Sequence, residues 1–119
     1  MANTHAVQVR RVYDHRVRGD GTRVLVDRVW PRGMTKENAD LDEWCKQIAP
    51  SNELRKWYNH APERFEEFTR RYQKELTEPA RDEVLRHLRH LASRGTLTLL
   101  TASRAVDISE ATVLAALLD

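Results

Sequence analysis

The segment TLTLLTA, residues 96–102, constrains the fold more than any other part of the chain. Its apolar residues run almost without a break, so a strand made from it has no polar side to turn toward water and must be covered on both faces. Strands of that kind belong to sheets with other layers packed above and below. Two further stretches are strand-like. VQVRRVY (7–13) is enriched in β-branched residues, and in TRVLVDRVW (22–30) Val24 and Val26 alternate with Leu25 before a polar cluster begins. The linking DHRVRGDGT carries a Gly19-Asp20-Gly21 turn signal and is too short for an ordinary crossover helix. A hairpin is the simple expectation for this pair, with a tight parallel connection left open.

After Gly33 the pattern becomes helical. Asp40 and Glu43 have capping-box spacing, and Leu41, Trp44, Cys45 and Ile48 fall on one face, which predicts a helix ending at Ala49-Pro50. Ser51 is placed to cap NELRKWYNH, with Leu54, Trp57 and Tyr58 as its apolar side. Pro62 opens a third helix with Phe65, Phe68, Tyr72 and Leu76 inward, and Pro79 a fourth with Val84, Leu85, Leu88 and Leu91 inward. Arg94-Gly95 reads as a stop with a left-handed glycine. The last helix has Asp107 and Glu110 at capping-box spacing, followed by Val113, Leu114, Leu117 and Leu118. The expected architecture is a small three-layer α/β domain, with about three short, mostly parallel strands flanked by about five helices.

The length of 119 residues suits one domain, 1–119, with residues 1–6 as a loose end. Cys45 is the only cysteine and cannot form an intramolecular disulfide; no apolar run resembles a signal peptide or crosses a bilayer. A cytoplasmic protein without a membrane partner is expected. Sixteen arginines outnumber four lysines, which favours forked binding of phosphate or carboxylate, while a net charge of only +2 disfavours nucleic acid as the partner.

Ligands of open α/β sheets collect beyond the carboxyl ends of the strands, which singles out Asp27 to Lys36 and Ala102 to Ser109. These loops share a crevice only if their strands are parallel. In the first, Arg28 and Arg32 offer forked donors, Trp30 a stacking plane, Asp27 an orienting group or base, Gly33 a close backbone approach and Lys36 a movable charge. The competing reading makes Trp30 core and the rest a corner. Arg55 lies one turn before Asn59, and His60, just past that helix, is a candidate acid or base that needs a partner. Cys45 lies on an apolar stripe and reads as a buried, inert thiol. His87 and His90 lack further ligands nearby, and no zinc spacing, Walker pattern, glycine-rich phosphate loop or nucleophile elbow is present, so neither metal nor cofactor is expected.

The co-linear series RVLVDRVWPRG, LDEWCKQIAPSNELRKWYNH, PERFEEFTRRYQKEL and GTLTLLTASR resembles the YeaO-like bacterial proteins of domain of unknown function 488, over nearly the whole chain. Members of that family resemble small α/β enzymes or binding proteins without an established reaction. Longer relatives place a helix between the first two strands, so the resemblance implies parallel strands and a shared crevice. The polar positions that match are Asp27, Arg28, Trp30, Arg32, Lys36, Arg55, His60 and Arg104. The chain departs from the pattern after its last strand, where Ile108 and Ser109 stand in place of the usual His-Asn. Isoleucine has no titrating atom, so any proton transfer made there by relatives is lost.

The leading expectation is a site for a nucleotide or other phosphorylated anion, held by Arg28, Arg32, Lys36, Arg55 and Arg104 with Trp30 stacking. One rival is a hydrolase- or transferase-type enzyme on such a ligand, with Asp27 and His60 as acid and base. Another is a homodimeric interaction module without a pocket, joined through a sheet edge.

Overall fold

The apolar run forms the middle of a parallel sheet. In the computed structural model, which describes residues 6–118, four strands, β1 (Val7–Arg11), β2 (Thr22–Leu25), β3 (Glu43–Trp44) and β4 (Leu97–Thr101), lie in the order β1-β4-β2-β3. All pairings are parallel, with Val9 and Val24 both opposite Leu99. Every residue of β4 is buried, as its composition demands. The loose end expected at 1–6 falls outside the described residues except for Ala6, whose carbonyl accepts the Leu97 N–H.

The hairpin expected for β1 and β2 does not form. Each pairs with β4 instead, one on either side, so the DHRVRGDGT segment crosses from one flank of β4 to the other. Gly21 makes this tight passage possible. Its φ is 62°, and a Cβ there would come within 2.1 Å of the Thr96 carbonyl oxygen, the same oxygen that accepts the Thr22 N–H.

Five helices accompany the sheet: α1 (Lys36–Ala39), α2 (Asn52–Tyr58), α3 (Phe65–Glu75), α4 (Pro79–Arg94) and α5 (Glu110–Leu118). Side chains alternate across the strands, so Val24, Val26, Leu97 and Leu99 meet the main core built from α2 to α5. Val12, Leu25 and Leu100 face the opposite way and are covered more thinly, by Ala39 of α1 and by Trp30, Met34 and Leu41. The second face also holds a buried ion pair. Arg23, wholly buried, donates to Asp20 at 2.8 Å and to the carbonyls of Asp14, Ala39 and Asp40; Arg10 grips the same carboxylate.

Three local readings are corrected. The helix expected over 40–48 is replaced by the edge strand β3 and a 3-10 turn, Lys46–Ile48. Asp40 is left-handed, with φ 50°, and ends α1 rather than starting a helix. The Arg23 N–H binds the Asp42 carboxylate, and the N–H groups of Asp42 and Cys45 bind the carbonyls of Arg23 and Leu25, so the backbone is held by the sheet. Gly95 is extended, with φ 174°, a conformation open to any residue. Asp107 lies in a 3-10 turn, and α5 starts at Glu110 with Ser109 Oγ accepting the Thr112 N–H at 3.4 Å.

Candidate functional site

Two neighbouring strands, β2 and β4, send their carboxyl-terminal connections to opposite faces of the sheet. The chain after β2 runs to α1 on the thinly covered face, and the chain after β4 runs to α5 in the main core. Such a divergence leaves a crevice between the two loops. A cleft of about 620 Å³ opens there, within the range of small-molecule sites. The segment from Asp27 to Arg32 lines one side, Thr101 to Ser103 and Ile108 to Glu110 the other, and Arg55, Tyr58, Asn59 and His60 of the α2 end close it. Parallel pairing thus brings the two candidate loops to one crevice.

Asp27 joins these walls. Its Oδ2 accepts the Ala102 N–H at 2.7 Å, and its carbonyl oxygen accepts from Trp44 Nε1 at 2.7 Å, which ties the end of β2 to β4 and to the edge strand. Its other carboxylate oxygen, Oδ1, is buried without a protein donor. Glu110, at the start of α5, comes within hydrogen-bonding reach of Asp27 in the same cleft. Burial, then the Asp27 carboxylate, push the Glu110 carboxyl well above the usual range, against the pull of its own N–H and of Arg55. The raised Glu110 carboxyl keeps its proton to higher pH than a free one, and in that form it is a hydrogen-bond donor beside Asp27.

The remaining predicted residues divide by position. Arg28, Trp30, Arg32, Arg55 and His60 line the cleft with Asp27, whereas Lys36 and Arg104 are not among its lining residues. Arg28, Arg32 and Arg55 make no ion pair with a carboxylate among the described residues; Arg55 reaches only Asn52 Oδ1, at 3.4 Å. Trp30 does part of what each of its two readings required. It is half-buried, donates to the Met34 carbonyl at 2.7 Å, meets Trp44 edge-on at 5.4 Å, and still lines the cleft. Gly33, at φ 75°, turns the loop and lies away from the cleft wall.

Asn59 and His60 are both left-handed, with φ of 47° and 54°. Two successive non-glycine residues in that region are uncommon, and they turn the chain out of α2 with His60 exposed at the rim. Behind them Tyr58 donates to the Ile108 carbonyl at 2.7 Å and stacks on Phe68 at 4.1 Å. Burial, then the Glu110 charge, raise the Tyr58 hydroxyl above its usual value, which keeps it a donor. Ile108 itself lines the cleft as an apolar group. Cys45 is buried and its thiol is pushed up to about 11, first by burial and then by Glu43, in line with an inert thiol.

Glu110 and Tyr58 went unmarked as site residues in the sequence. Glu110 has the spacing of a helix cap, and nothing local tells that it meets a carboxylate 83 positions earlier in the chain. Tyr58 reads as one member of an apolar helix face.

Fold and site together define a small parallel α/β domain with a ligand-sized cleft at its switch point. The chain belongs to the DUF488 family: the family model described as "Inactive DUF488-N3 subclade" matches residues 6–119. Uncharacterized proteins of Mycobacterium tuberculosis (strain ATCC 25618 / H37Rv) and Mycobacterium bovis are each 50% identical over 119 residues, covering 100% of this chain and 98% of theirs. The uncharacterized protein YeaO of Escherichia coli (strain K12) is 39% identical over 109 residues, 92% of this chain and 93% of its own. No solved structure gives a significant match. Among the described residues, no helix is long and apolar enough to cross a membrane.

Proposed function

We propose that the cleft binds a small phosphorylated anion, a nucleotide or a related compound, and holds it without transforming it. The observation that carries this reading is the set of three guanidinium groups, Arg28, Arg32 and Arg55, on one cleft with no carboxylate partner among the described residues. Unpaired arginines facing one concavity have their forked donors free for phosphate oxygens. Lys56 also lines the cleft, so four fixed cations outnumber its two carboxyls, Asp27 and Glu110, and the balance favours an anion.

Two features favour retention over turnover. The family model that matches is named for an inactive subclade. The cleft also carries Ile108 where the family pattern has histidine, and isoleucine neither gives nor takes a proton. Asp27 and His60, the pair an enzyme reading would use, line the same cleft, but one Asp27 oxygen is committed to the Ala102 N–H.

Tryptophan fluorescence tests the reading, since Trp30 lines the cleft. Titration with AMP, ribose 5-phosphate and inorganic phosphate is expected to give a saturable change with at least one of them. Arg32→Ala is expected to weaken that binding by about tenfold or more, the equivalent of one lost charge-assisted contact. Identical titrations of wild type and Arg32→Ala would contradict it.

A further inference from the structure

Beside the cleft lies a second concavity of about 450 Å³, and the two share a wall made of Arg28, Ala49 and Pro50. Lys46, Gln47 and Arg81 complete the second one, so three cations line it and no carboxylate does. These cations reach it from separate parts of the chain. Arg28 follows β2, and Lys46 opens the 3-10 turn after β3, its ammonium 5.3 Å from the centre of the Trp44 ring. Arg81 comes from the first turn of α4, where its Nε donates to the Ala49 carbonyl at 2.9 Å and Nη1 to Glu78. Arg28 and Lys46 make no ion pair with a carboxylate among the described residues. Glu78 therefore offsets one charge of three, and the excess of positive charge in a hollow draws an anion there as well.

Resting on the anion-binding reading above, we infer that the second concavity is a subsite for a further phosphate, so that the ligand carries a condensed phosphate chain. The cleft takes one phosphate, and Arg28, Lys46 and Arg81 take the next. Arg28 lines both hollows, and one forked guanidinium can bridge two phosphates joined through a single oxygen. That shared residue favours adjacent phosphates over two phosphates at distant points of one ligand. The chemistry is found alike in inorganic pyrophosphate and in a nucleoside diphosphate.

Calorimetric titration of the full chain separates this subsite from the anion binding it rests on. ADP is expected to bind about tenfold or more tightly than AMP, and pyrophosphate to exceed phosphate by about the same factor. Tighter binding of ADP than of pyrophosphate identifies a nucleotide as the source of the chain, and equal affinity identifies the inorganic anion. Lys46→Gln and Arg81→Gln are each expected to reduce the preference for ADP over AMP to about threefold or less, with AMP affinity within about twofold of wild type. Thermal melting shows that both variants are folded. Lys74→Gln removes the same charge from an exposed residue outside both concavities and is expected to leave the preference unchanged. Equal affinity for AMP and ADP in wild type, or a loss in Lys74→Gln as large as in Lys46→Gln, would overturn the second subsite and leave anion binding standing. Absence of binding by all four compounds would overturn both.

Discussion

The Asp27 carboxylate accepts the Ala102 N–H at 2.7 Å, joining the segment after β2 to the first residue beyond β4. This bond holds both walls of the cleft in register. Asp27→Ala leaves a partly buried N–H without a partner and is expected to lower stability by about 1–3 kcal/mol. Asp27→Asn keeps an acceptor for Ala102 and a donor for Glu110, so it is expected to stay within about 1 kcal/mol of wild type. Urea denaturation distinguishes the two, and equal midpoints for wild type and Asp27→Ala would show that the bond does not organise the site.

The raised carboxyl of Glu110 gives stability a basic-side slope. A carboxyl whose folded pKa lies above its ordinary 4.5 binds its proton more tightly in the folded state. Its contribution is therefore complete below that value and is lost as pH rises through the folded pKa. Wild type is expected to lose melting temperature across this range relative to Glu110→Gln, which keeps its neutral group at every pH. Parallel dependence of melting temperature on pH for the two proteins from about pH 5 to pH 9 would contradict the raised Glu110 carboxyl.

The Asp20–Arg23 pair acts at the other end of the pH scale. Burial alone would raise the Asp20 carboxyl, but the Val17 N–H and the Arg23 and Arg10 guanidiniums outweigh it and hold it below the ordinary 3.8. Stability from this group is present above 3.8 and is lost as pH falls through the folded value. Asp20→Ala strands a wholly buried guanidinium and is expected to cost about 3–5 kcal/mol at neutral pH, with a shallower acid limb. Chemical denaturation at pH 7 and pH 3 measures both effects.

Gly21 and Gly33 both have positive φ, yet they differ in what surrounds them. A Cβ at Gly21 would meet the Thr96 carbonyl oxygen at 2.1 Å, whereas one at Gly33 would meet nothing within 4 Å. Gly21→Ala is expected to destabilise by about 2–5 kcal/mol, from collision and backbone strain together. Gly33→Ala carries the strain alone, about 1–2 kcal/mol. Similar melting temperatures for the two variants would contradict the tight passage between β1 and β2.

The sequence made β4 legible because nothing in an apolar run of that kind allows a wet face. Helices α2, α3 and α4 were legible from Ser51, Pro62 and Pro79, each followed by a one-sided apolar stripe. The stretch containing β3 was misread because Leu41, Trp44, Cys45 and Ile48 repeat at helical spacing. Their backbone is claimed instead by Arg23 and Leu25, which only the assembled sheet brings near. Arg23 itself looked like an ordinary charged residue in a strand, since its four acceptors come from Asp14, Asp20, Ala39 and Asp40. In the candidate site, the half next to β2 was legible as a dense cluster of Asp, Arg and Trp. The Glu110 half was not, because its meaning depends on a contact between the ends of β2 and α5.

Calorimetric titration of ribose 5-phosphate into wild type and into the Arg28→Ala, Arg32→Ala, Arg55→Ala triple variant tests the central claim most directly. The account predicts saturable binding to wild type and a loss of at least a hundredfold in the folded triple variant, more than one tenfold step of about 1.4 kcal/mol. Undiminished affinity in the triple variant, or no heat with either protein, would contradict it.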